Sequence, residues 1–347
     1  MPTKLLKEIQ GLNAEMMEIS KTRIDKLVKP QGSLGALEEI AIQLSGIYNT
    51  TTPKIEKKAL IVMCADNGVC AEDIASAPPI VTRIQSLNIA GGVSGVGALS
   101  KALGAKVYTV DIGIDTNDAL PSLIDKKIMC GTHNIATSCA MTYEQATRAI
   151  QVGIDMVKLA VEDGYNLIAT GEMGIGNTTT STAILSILSG ISPYALTGVG
   201  ANYPIEKLDH KASVIEKAIT SKNINKADPI DIIASVGGLD IAGITGIMLG
   251  GAIYRVPVIV DGYISTVSAL LACQLEPMVK HFLFPSHASE EKSASLATKM
   301  LGLKPYLNLG MRLGEGSGAV LAFNILESAC VMINDMITFE EAGIGVV

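Results

Sequence analysis

The chain of 347 residues has few aromatic side chains and no excess of positive charge. It contains no Trp and only 4 Phe, and its formal net charge at pH 7 is -7. Proteins that bind single-stranded nucleic acid use aromatic side chains for base stacking, and phosphate backbones and anionic membranes attract basic surfaces. We therefore expect neither nucleic acid nor a membrane among its partners.

Long uninterrupted apolar runs are also missing, although the mean hydropathy is high, at +0.38. Residues 173–205 carry no charge, but glycines and Pro193 interrupt them. The apolar run 241–254 is shorter than the ~20 residues that a membrane-spanning helix needs. We interpret both segments as buried parts of an α/β fold. The N-terminal segment lacks the pattern of a secretory signal peptide.

Cysteine and histidine patterns typical of metal sites do not occur. The 6 Cys contain no Cys-x-x-Cys pair, and the 4 His show no His-x-His or His-Glu-x-x-His spacing. Scattered cysteines of this kind are typical of reduced thiols in a cytoplasmic enzyme. We expect a cytoplasmic protein with no metal and no cofactor.

From about residue 57, short apolar runs alternate with helical stretches. The apolar runs are Ala59–Cys64, Lys106–Val110, Asn166–Thr170, Val256–Val260 and His281–Phe284. The helical stretches include Val81–Leu103, Thr142–Glu162, Thr178–Leu188 and Ile205–Thr220. Continuous apolar strands alternating with helices predict a Rossmann-like α/β fold, with a parallel sheet covered by helices on both faces.

Both ends of the chain have helical patterns instead. Near the N-terminus, Leu5, Leu12, Met16 and Ile19 are among the apolar residues at helical spacing, and residues 316–347 return to helix. We predict a large catalytic α/β domain over residues 57–315. Residues 1–56 and 316–347 would form a small helical domain together.

Polar and Gly-rich clusters follow all five predicted strands. These clusters are Asp66–Gly68, Asp111–Gly113, Gly171–Gly174, Asp261–Tyr263 and Ser286–Ser289. In open parallel sheets, ligands bind beyond the carboxyl ends of the strands. The sequence therefore predicts a binding site at this edge of the sheet.

The segment GEMGIGNTTTSTA, residues 171–183, is typical of an anion site. Gly174 and Gly176 allow a ligand to approach closely, and Asn177 and Thr178 begin a helix whose free N–H groups suit an anion. On the glycines alone, a strand-to-helix turn without a ligand is an equal alternative. Glu172 favours a substrate, because a carboxylate beside an anion site indicates a group such as a ribose hydroxyl.

The segment MRLGEGSGA, residues 311–319, places Glu315 between Gly314 and Gly316. This context predicts an irregular loop that exposes the carboxylate, which could serve as a general base. A solvated surface glutamate is the alternative.

The segment VIVDGYIST, residues 258–266, invites comparison with the loop that binds phosphoribosyl diphosphate. That loop has paired acids, whereas here Gly262 follows Asp261. The single acid disfavours a donor bound through a metal–diphosphate complex. Asp261 as a strand-end turn or helix-cap residue is the alternative.

Ten segments in order along the chain resemble the nicotinate-nucleotide:dimethylbenzimidazole phosphoribosyltransferases. They are KPQGSLGALE (29–38), ADNGV (65–69), VTRIQSLNIAGG (81–92), VDIGID (110–115), GEMGIGNTT (171–179), TGVGAN (197–202), GGLDIAGITG (237–246), VDGYIS (260–265), SHASEE (286–291) and RLGEGSGA (312–319). The resemblance implies a large α/β domain, a small helical domain from both termini, and a homodimer with active sites near the subunit interface.

The resemblance also implies roles for individual residues. Glu315 matches the catalytic base, with Leu313 and Gly314 beside it. The positions around the nucleotide are Glu172, Gly174, Lys211, Asp261, Gly262 and Ser289, with Lys211 on the phosphate. Without the resemblance, Lys211 would pass for an ordinary surface lysine.

The sequence departs from the family at the predicted acceptor site. Family members often have an aromatic residue just before the proline that leads into Val-Thr, whereas this chain has Ala77 and Pro78, although Gln85 keeps a polar group downstream. This smaller rim leaves room for a benzimidazole, a purine or a phenol as the acceptor. Because phenol-accepting relatives are thought to pair unlike subunits, a heterodimer with a paralogous subunit is an alternative to the homodimer.

The expected activity is transfer of the phosphoribosyl group of nicotinate mononucleotide to a lower-ligand base in cobamide biosynthesis. The products would be an α-linked ribotide and nicotinate. Two alternatives stay open: a Mg²⁺-dependent transferase that uses phosphoribosyl diphosphate, and a non-catalytic partner subunit of a heteromeric transferase.

Overall fold

The computed structural model describes residues 6–7 and 9–344, which contain six strands. The strands are β1 (Lys58–Ala65), β2 (Lys106–Gly113), β3 (Ile124–Asp125), β4 (Leu167–Met173), β5 (Val258–Val260) and β6 (Leu283–Pro285). They form one sheet in the order β3-β2-β1-β4-β5-β6, and every neighbouring pair is parallel. The order reverses between β1 and β4, where ligands bind in open sheets of this type.

The described helices run from Ala14 to Asp335. They are α1 (Ala14–Asp25), α2 (Ala36–Tyr48), α3 (Ile80–Ala90), α4 (Gly95–Ala102), α5 (Tyr143–Glu162), α6 (Asn177–Ser189), α7 (Pro193–Leu196), α8 (Leu208–Thr220), α9 (Pro229–Val236), α10 (Leu239–Ile253), α11 (Tyr263–Leu275), α12 (Ala294–Leu301) and α13 (Ser317–Asp335). Three short 3₁₀ segments lie between them, at Gly68–Glu72, Ile205–Lys207 and Pro277–Phe282.

Helices cover both faces of the sheet. All residues of β1 after Lys58 are buried, which requires apolar cover on each side. Leu60 lies against Gly316 at the start of α13, whereas Met63 lies against Gly243 in α10. Because side chains three residues apart in a strand point to opposite faces, α13 and α10 cover opposite sides. The predicted Rossmann-like α/β class is confirmed.

Close helix packing explains the Gly-rich run 241–254. A Cβ atom on Gly246 of α10 would overlap the carbonyl oxygen of Ile150 in α5, and one on Gly153 of α5 would overlap that of Gly243. The glycines let the two helix backbones touch, and α10 is buried on all sides up to Ala252. The run is a core helix, as the sequence predicted.

Helices from the two ends of the chain pack together. Helix α13 contacts both α1 and α2, and Arg23 of α1 donates hydrogen bonds to the carbonyls of Ile333 and Met336. Helix α13 also contacts β4 and β5. In length and composition α13 could cross a membrane, with a mean hydropathy of 1.4, but 61% of that apolar stretch is buried inside the fold. Buried core helices of soluble proteins can have the same length and hydropathy.

Two predicted helices have different bounds in the structure. The stretch Val81–Leu103 forms two helices, because Gly92 has a φ of 70° after α3 and the hydroxyl of Ser94 caps α4. In the N-terminal pattern, residues 9–13 form no helix, and α1 begins at Ala14, where Asn13 accepts a hydrogen bond from the amide of Met16. Leu5, which belonged to that pattern, lies outside the described residues.

Candidate active site

Two adjoining clefts lie at the carboxyl edge of the sheet, next to the point where the strand order reverses. The main cleft is lined by nine of the predicted site residues: Glu172, Gly174, Asn177, Thr178, Asp261, Gly262, Ser289, Leu313 and Gly314. A second cleft is lined by Ala77, Gly174, Gly176, Asn177, Thr178 and Lys211. The two clefts share residues 174, 175, 177, 178 and 201. The structure thus brings most of the predicted site together.

Helix α6 begins between the two clefts. Its N-cap is Gly176, with a φ of 93° and no side chain that caps the helix. A Cβ atom at this position would lie 2.8 Å from the Sγ atom of Cys70, so both the backbone and the space require glycine. The amides of Asn177 and Thr179 already donate to the carbonyls of Gly174 and Gly176, so the helix start attracts an anion chiefly through its positive dipole end.

Lys211 is buried beside this helix start, and not on the surface as its sequence context suggested. Its side chain is 2% exposed, and its Nζ atom donates hydrogen bonds to Thr178 Oγ1 at 3.1 Å and to the carbonyl of Gly198 at 3.4 Å. Burial lowers the pKa of Lys211 to about 8, against the opposing effect of the nearby Glu291. The ammonium group is thus poorly solvated, and a second anion would stabilise it.

Glu172, which lines the main cleft, shares a hydrogen-bond donor with the fully buried Asp240. The side-chain amide of Asn177 donates to Glu172 Oε2 at 2.5 Å and to Asp240 Oδ2 at 2.9 Å. Burial, and then the charge of Asp240, raises the pKa of Glu172 to about 8. Burial also raises the pKa of Asp240 to about 6, against the effect of the Asn177 hydrogen bond. The carboxyl group of Glu172 therefore keeps its proton to a higher pH than an ordinary glutamate does.

Asp261 has the structural role that was its alternative interpretation, and it also lines the cleft. Its carboxylate accepts the backbone amides of Gly316 at 3.3 Å and Ala319 at 2.9 Å, at the start of α13. His287 Nδ1 lies 3.8 Å from the same carboxylate. Burial raises the pKa of Asp261, while the charge of His287 and the backbone amides oppose that shift. Asp261 thus anchors the helix that follows Glu315.

The expectation that Glu315 lies exposed on its loop is wrong. The residue is 5% exposed, and its carboxylate accepts hydrogen bonds from Gln85 Nε2 at 2.5 Å and from the amide of Val96 at 3.2 Å. Its own amide donates to Glu172 Oε1 at 3.3 Å. The flanking glycines allow a tight turn that directs the side chain inward, toward α3 and α4, instead of leaving it in solvent.

The predicted acceptor residues lie around this carboxylate and the second cleft. Gln85, on α3, is half-buried and contacts Glu315 directly. Ala77 is half-buried in the second cleft, whereas Pro78 is exposed and lines neither cleft. Leu313 is 58% exposed at the edge of the main cleft. The rim therefore has small or apolar side chains.

Sequence reasoning missed three charged residues of this site. Asp240 is buried beneath Gly174. Glu291 accepts the amide of Gly200 at 3.1 Å, and Arg312 donates to Asn202 Oδ1 at 2.8 Å. All three lie in segments that resemble the family, so this resemblance is the sequence feature that could have identified them as site residues. Within the described residues, no group of three or more His, Cys, Asp or Glu is arranged to hold a metal ion.

Comparisons with known proteins agree with this geometry. A family model described as Phosphoribosyltransferase matches residues 9–344. The nicotinate-nucleotide–dimethylbenzimidazole phosphoribosyltransferase of Alkaliphilus metalliredigens is 49% identical over 340 residues, which cover 98% of this chain and 97% of that protein. The protein of the same name from Clostridium perfringens (strain 13 / Type A) is 47% identical over 344 residues, with 99% and 95% covered.

A solved structure is similar over the same length. The crystal structure of the enzyme of that name from Thermus thermophilus is 35% identical, with a TM-score of 0.91, and covers 97% of this chain and 100% of its own. The match therefore includes the sheet, the helices from both ends and the segments that line both clefts. This phosphoribosyltransferase belongs to the nicotinate-nucleotide–dimethylbenzimidazole phosphoribosyltransferase family.

Proposed function

We propose that the chain transfers the phosphoribosyl group of nicotinate mononucleotide to a lower-ligand base, giving an α-linked ribotide and nicotinate in cobamide biosynthesis. The observation that carries this proposal is the continuity of the two clefts. A buried ammonium and an uncapped helix start in the second cleft suit a phosphate. The main cleft beside them, with Asp261 and Glu291 in its lining, suits the positively charged ring nitrogen of the nucleotide.

The phosphate would occupy the space beside Lys211, Thr178 and the start of α6. Lys211 supplies the charge, and the start of α6 supplies the positive end of the helix dipole. The ribose would then lie over residues 172–174, where a protonated Glu172 can donate a hydrogen bond to a hydroxyl. Asp261, Gly262 and Ser289, on the far side of the main cleft, would surround the nicotinate ring.

The chemistry needs one proton acceptor and no general acid. The bond between ribose C1′ and the pyridinium nitrogen breaks, and its electron pair neutralises the ring nitrogen. The acceptor forms the new bond to C1′ with its own electron pair, from the opposite face, and gives up its N–H or O–H proton. We assign that proton to the Glu315 carboxylate, which Gln85 and the amide of Val96 hold by hydrogen bonds.

The acceptor would lie between Glu315, Gln85 and Leu313, next to the edge of the second cleft that Ala77 lines. Because this rim lacks a bulky aromatic side chain, we propose that it accepts benzimidazoles, purines and phenols. A Mg²⁺-dependent transferase using phosphoribosyl diphosphate is disfavoured by the single acid at Asp261. That carboxylate is already used by two backbone amides at the start of α13.

We also propose a cytoplasmic homodimer whose interface borders the acceptor site. Exposed apolar side chains occur on the segments that hold Glu315 or lead to it: Ile80 and Ile84 on α3, Val93 in the turn before α4, and Leu313 two residues before Glu315. A paralogous subunit could cover the same surface. Clusters of exposed apolar residues are typical of protein interfaces.

The decisive experiment is incubation of the purified chain with nicotinate mononucleotide and a panel of bases in the presence of EDTA. We expect nicotinate release with at least one base and an α-linked ribotide by NMR. Strict dependence on Mg²⁺ and phosphoribosyl diphosphate would contradict the proposal. If nicotinate release requires an added paralogous subunit, Glu315→Gln in this chain tests the non-catalytic alternative. Unchanged release in that mixture would show that the partner subunit supplies the base.

A further inference from the structure

A buried chain of hydrogen bonds leads from Asp240 to Glu315. Asp240 lies in the first turn of α10, has no exposed surface and lines neither cleft. Its Oδ1 atom accepts the amide of Ile241 at 3.0 Å, and its Oδ2 atom accepts the side-chain amide of Asn177 at 2.9 Å. Asp240 therefore has no direct access to a substrate.

The same amide nitrogen of Asn177 connects Asp240 to the cleft. It donates to Glu172 Oε2 at 2.5 Å, so its two hydrogens serve two carboxyl groups. The other oxygen of Glu172 accepts the backbone amide of Glu315 at 3.3 Å. Each side chain in this chain of contacts thus constrains the next.

Packing leaves these groups little room to move. A Cβ atom on Gly174 would lie 2.8 Å from Asp240 Oδ2, and one on Gly314 would lie 2.5 Å from Glu172 Oε1. Within the described residues, no Lys, Arg or His makes an ion pair with Glu172 or Asp240. Two adjacent buried acids without a cation cost stability, so their presence indicates a functional requirement.

Resting on the function proposed above, we propose that Asp240 is a positioning residue for the transfer reaction. By fixing Asn177 it holds the carboxyl group of Glu172, and through Glu172 it holds the backbone of Glu315. Asp240 touches no substrate and acts only through these neighbours.

The charge of Asp240 also affects Glu172. The ionisable groups that face Glu172 are Asp240 from α10, Asp261 after β5, Glu315 before α13 and Cys64 from β1. Among them, Asp240 raises the pKa of Glu172 the most, after burial itself. Replacing Asp240 by asparagine therefore lowers that pKa.

The test compares Asp240→Asn with Glu327→Gln in steady-state kinetics. Glu327 is half-buried and pairs with Lys58 at 2.5 Å, at the start of β1 and therefore at the edge of the sheet opposite the clefts. Its substitution controls for the loss of a partly buried carboxylate. We expect Asp240→Asn to lower kcat about 10- to 100-fold through misplacement of the reacting groups, with little change in the donor KM. In the dependence of kcat/KM on pH, the limb that disappears in Glu172→Gln should move to lower pH. Glu327→Gln should change neither kcat nor this limb.

A double variant tests whether Asp240 acts through Glu172. Adding Asp240→Asn to Glu172→Gln should cost little more than Glu172→Gln alone, because both changes break the same chain of contacts. Independent, multiplicative losses would overturn the proposal, and so would an unchanged kcat in folded Asp240→Asn.

If Asp240→Asn does not fold, Asn177→Ser breaks the same connection from the other side, and serine is tolerated at a helix start. A wild-type kcat in Asn177→Ser would also overturn the proposal. A wild-type chain without transferase activity would instead contradict the proposed function.

Discussion

Glu315 has an unusual backbone conformation. Its φ is 62°, between values of 82° at Gly314 and 93° at Gly316, so three consecutive residues lie in the left-handed region. For a residue other than glycine this costs on the order of 1 kcal/mol. The surrounding contacts maintain it, since Glu172 holds its amide, and Gln85 and Val96 hold its carboxylate. Such strain is typical of functional positions.

Glu315→Gln should test the proposed base directly. The change keeps the shape but removes the proton acceptor, so we expect kcat to fall by about 10²–10⁴ with nearly unchanged donor binding. The loss should shrink with acceptors that are already anionic, because they need no deprotonation. The exposed neighbour variant Glu290→Gln is the control. Wild-type kcat in Glu315→Gln would refute the assignment and make Glu172 the next carboxyl group to test.

Lys211→Ala should mainly raise the donor KM. Loss of a hydrogen bond to a charged phosphate costs about 1.5–3 kcal/mol, and the control Lys217→Ala removes an exposed charge from the same helix. Since the pKa of Lys211 is lowered to about 8, donor affinity of the wild type should also weaken as pH rises through 8. Titration calorimetry measures both effects, and equal affinities in the two variants would exclude a phosphate contact.

The contribution of Glu172 to the free energy of unfolding should decrease as the pH rises. Its pKa is raised to about 8 in the folded chain, from its ordinary value of 4.5, so the folded state binds more protons between these values. Its contribution is fully present below about pH 4.5 and is lost as pH rises through 8. Urea unfolding should therefore show that the free energy of unfolding of Glu172→Gln, relative to that of the wild type, increases from pH 5.5 to pH 8. A constant difference would show that Glu172 is ionised throughout.

Residue types could be predicted from the sequence better than their environments. Local context predicted a strand that ends near Glu172 and a helix that begins after Gly176, and the structure has both. It misjudged Lys211 and Glu315, which both looked exposed and are buried. Burial depends on distant neighbours, such as α3 for Glu315 and the loop at Gly198 for Lys211, and no local pattern records them.

At the level of elements, the turn before α3 forms part of the second cleft. Residues 74–77 line that cleft, and Ser76 donates a hydrogen bond to the carbonyl of Ala201 at 2.5 Å. The small side chains of Ala75, Ser76 and Ala77 leave this edge of the second cleft open. Loop 200–202 is also held from the other side by Arg312, so loops distant in sequence together shape one opening.

The small side chains at the proposed acceptor rim should let the enzyme use several acceptor bases with similar efficiency. We expect kcat/KM values for dimethylbenzimidazole, benzimidazole and adenine that differ modestly, and measurable turnover of a phenol. Ala77→Tyr should add a bulky aromatic side chain at this position and increase the preference for dimethylbenzimidazole over the other bases. Pro78→Ala, at an exposed position, serves as the control. A wild-type enzyme with a steep preference for dimethylbenzimidazole over all other bases would show that the rim does not control selection.

Strands were more predictable than their connections. Five of the six strands overlap the predicted apolar runs, since strands buried on both faces are apolar throughout. Strand β3, Ile124–Asp125, was missed because two residues carry no pattern. The break between α3 and α4 was also missed, although Gly91 and Gly92 mark it.

At the scale of the whole molecule, the two ends of the chain share one core with the sheet. Buried residues of α1, α2 and α13 belong to the same apolar cluster as the strands. The division at residues 57 and 315 stays a prediction, and limited proteolysis would test it. The contact of α13 with both α1 and the sheet could not be read from local periodicity.

The proposed dimer can be tested on its exposed apolar surface. Val93 is 76% exposed beside the acceptor site. Val93→Glu should place a charge in the interface and shift sedimentation velocity toward the monomer, with a lower acceptor kcat/KM. Val331→Glu, at a 56% exposed position on α13, should leave the assembly intact. Identical sedimentation of both variants and the wild type would place the interface elsewhere.

The position of Glu315 in chain order has a consequence for synthesis. All six strands, and with them the main elements of the donor clefts, precede residue 315, whereas the proposed base enters with α13. Because a chain emerges from the ribosome N-terminal end first, the face of the sheet that α13 covers stays open until this helix has been made. The core and the turn that carries Glu315 would therefore be completed in one step, when α13 docks onto Asp261.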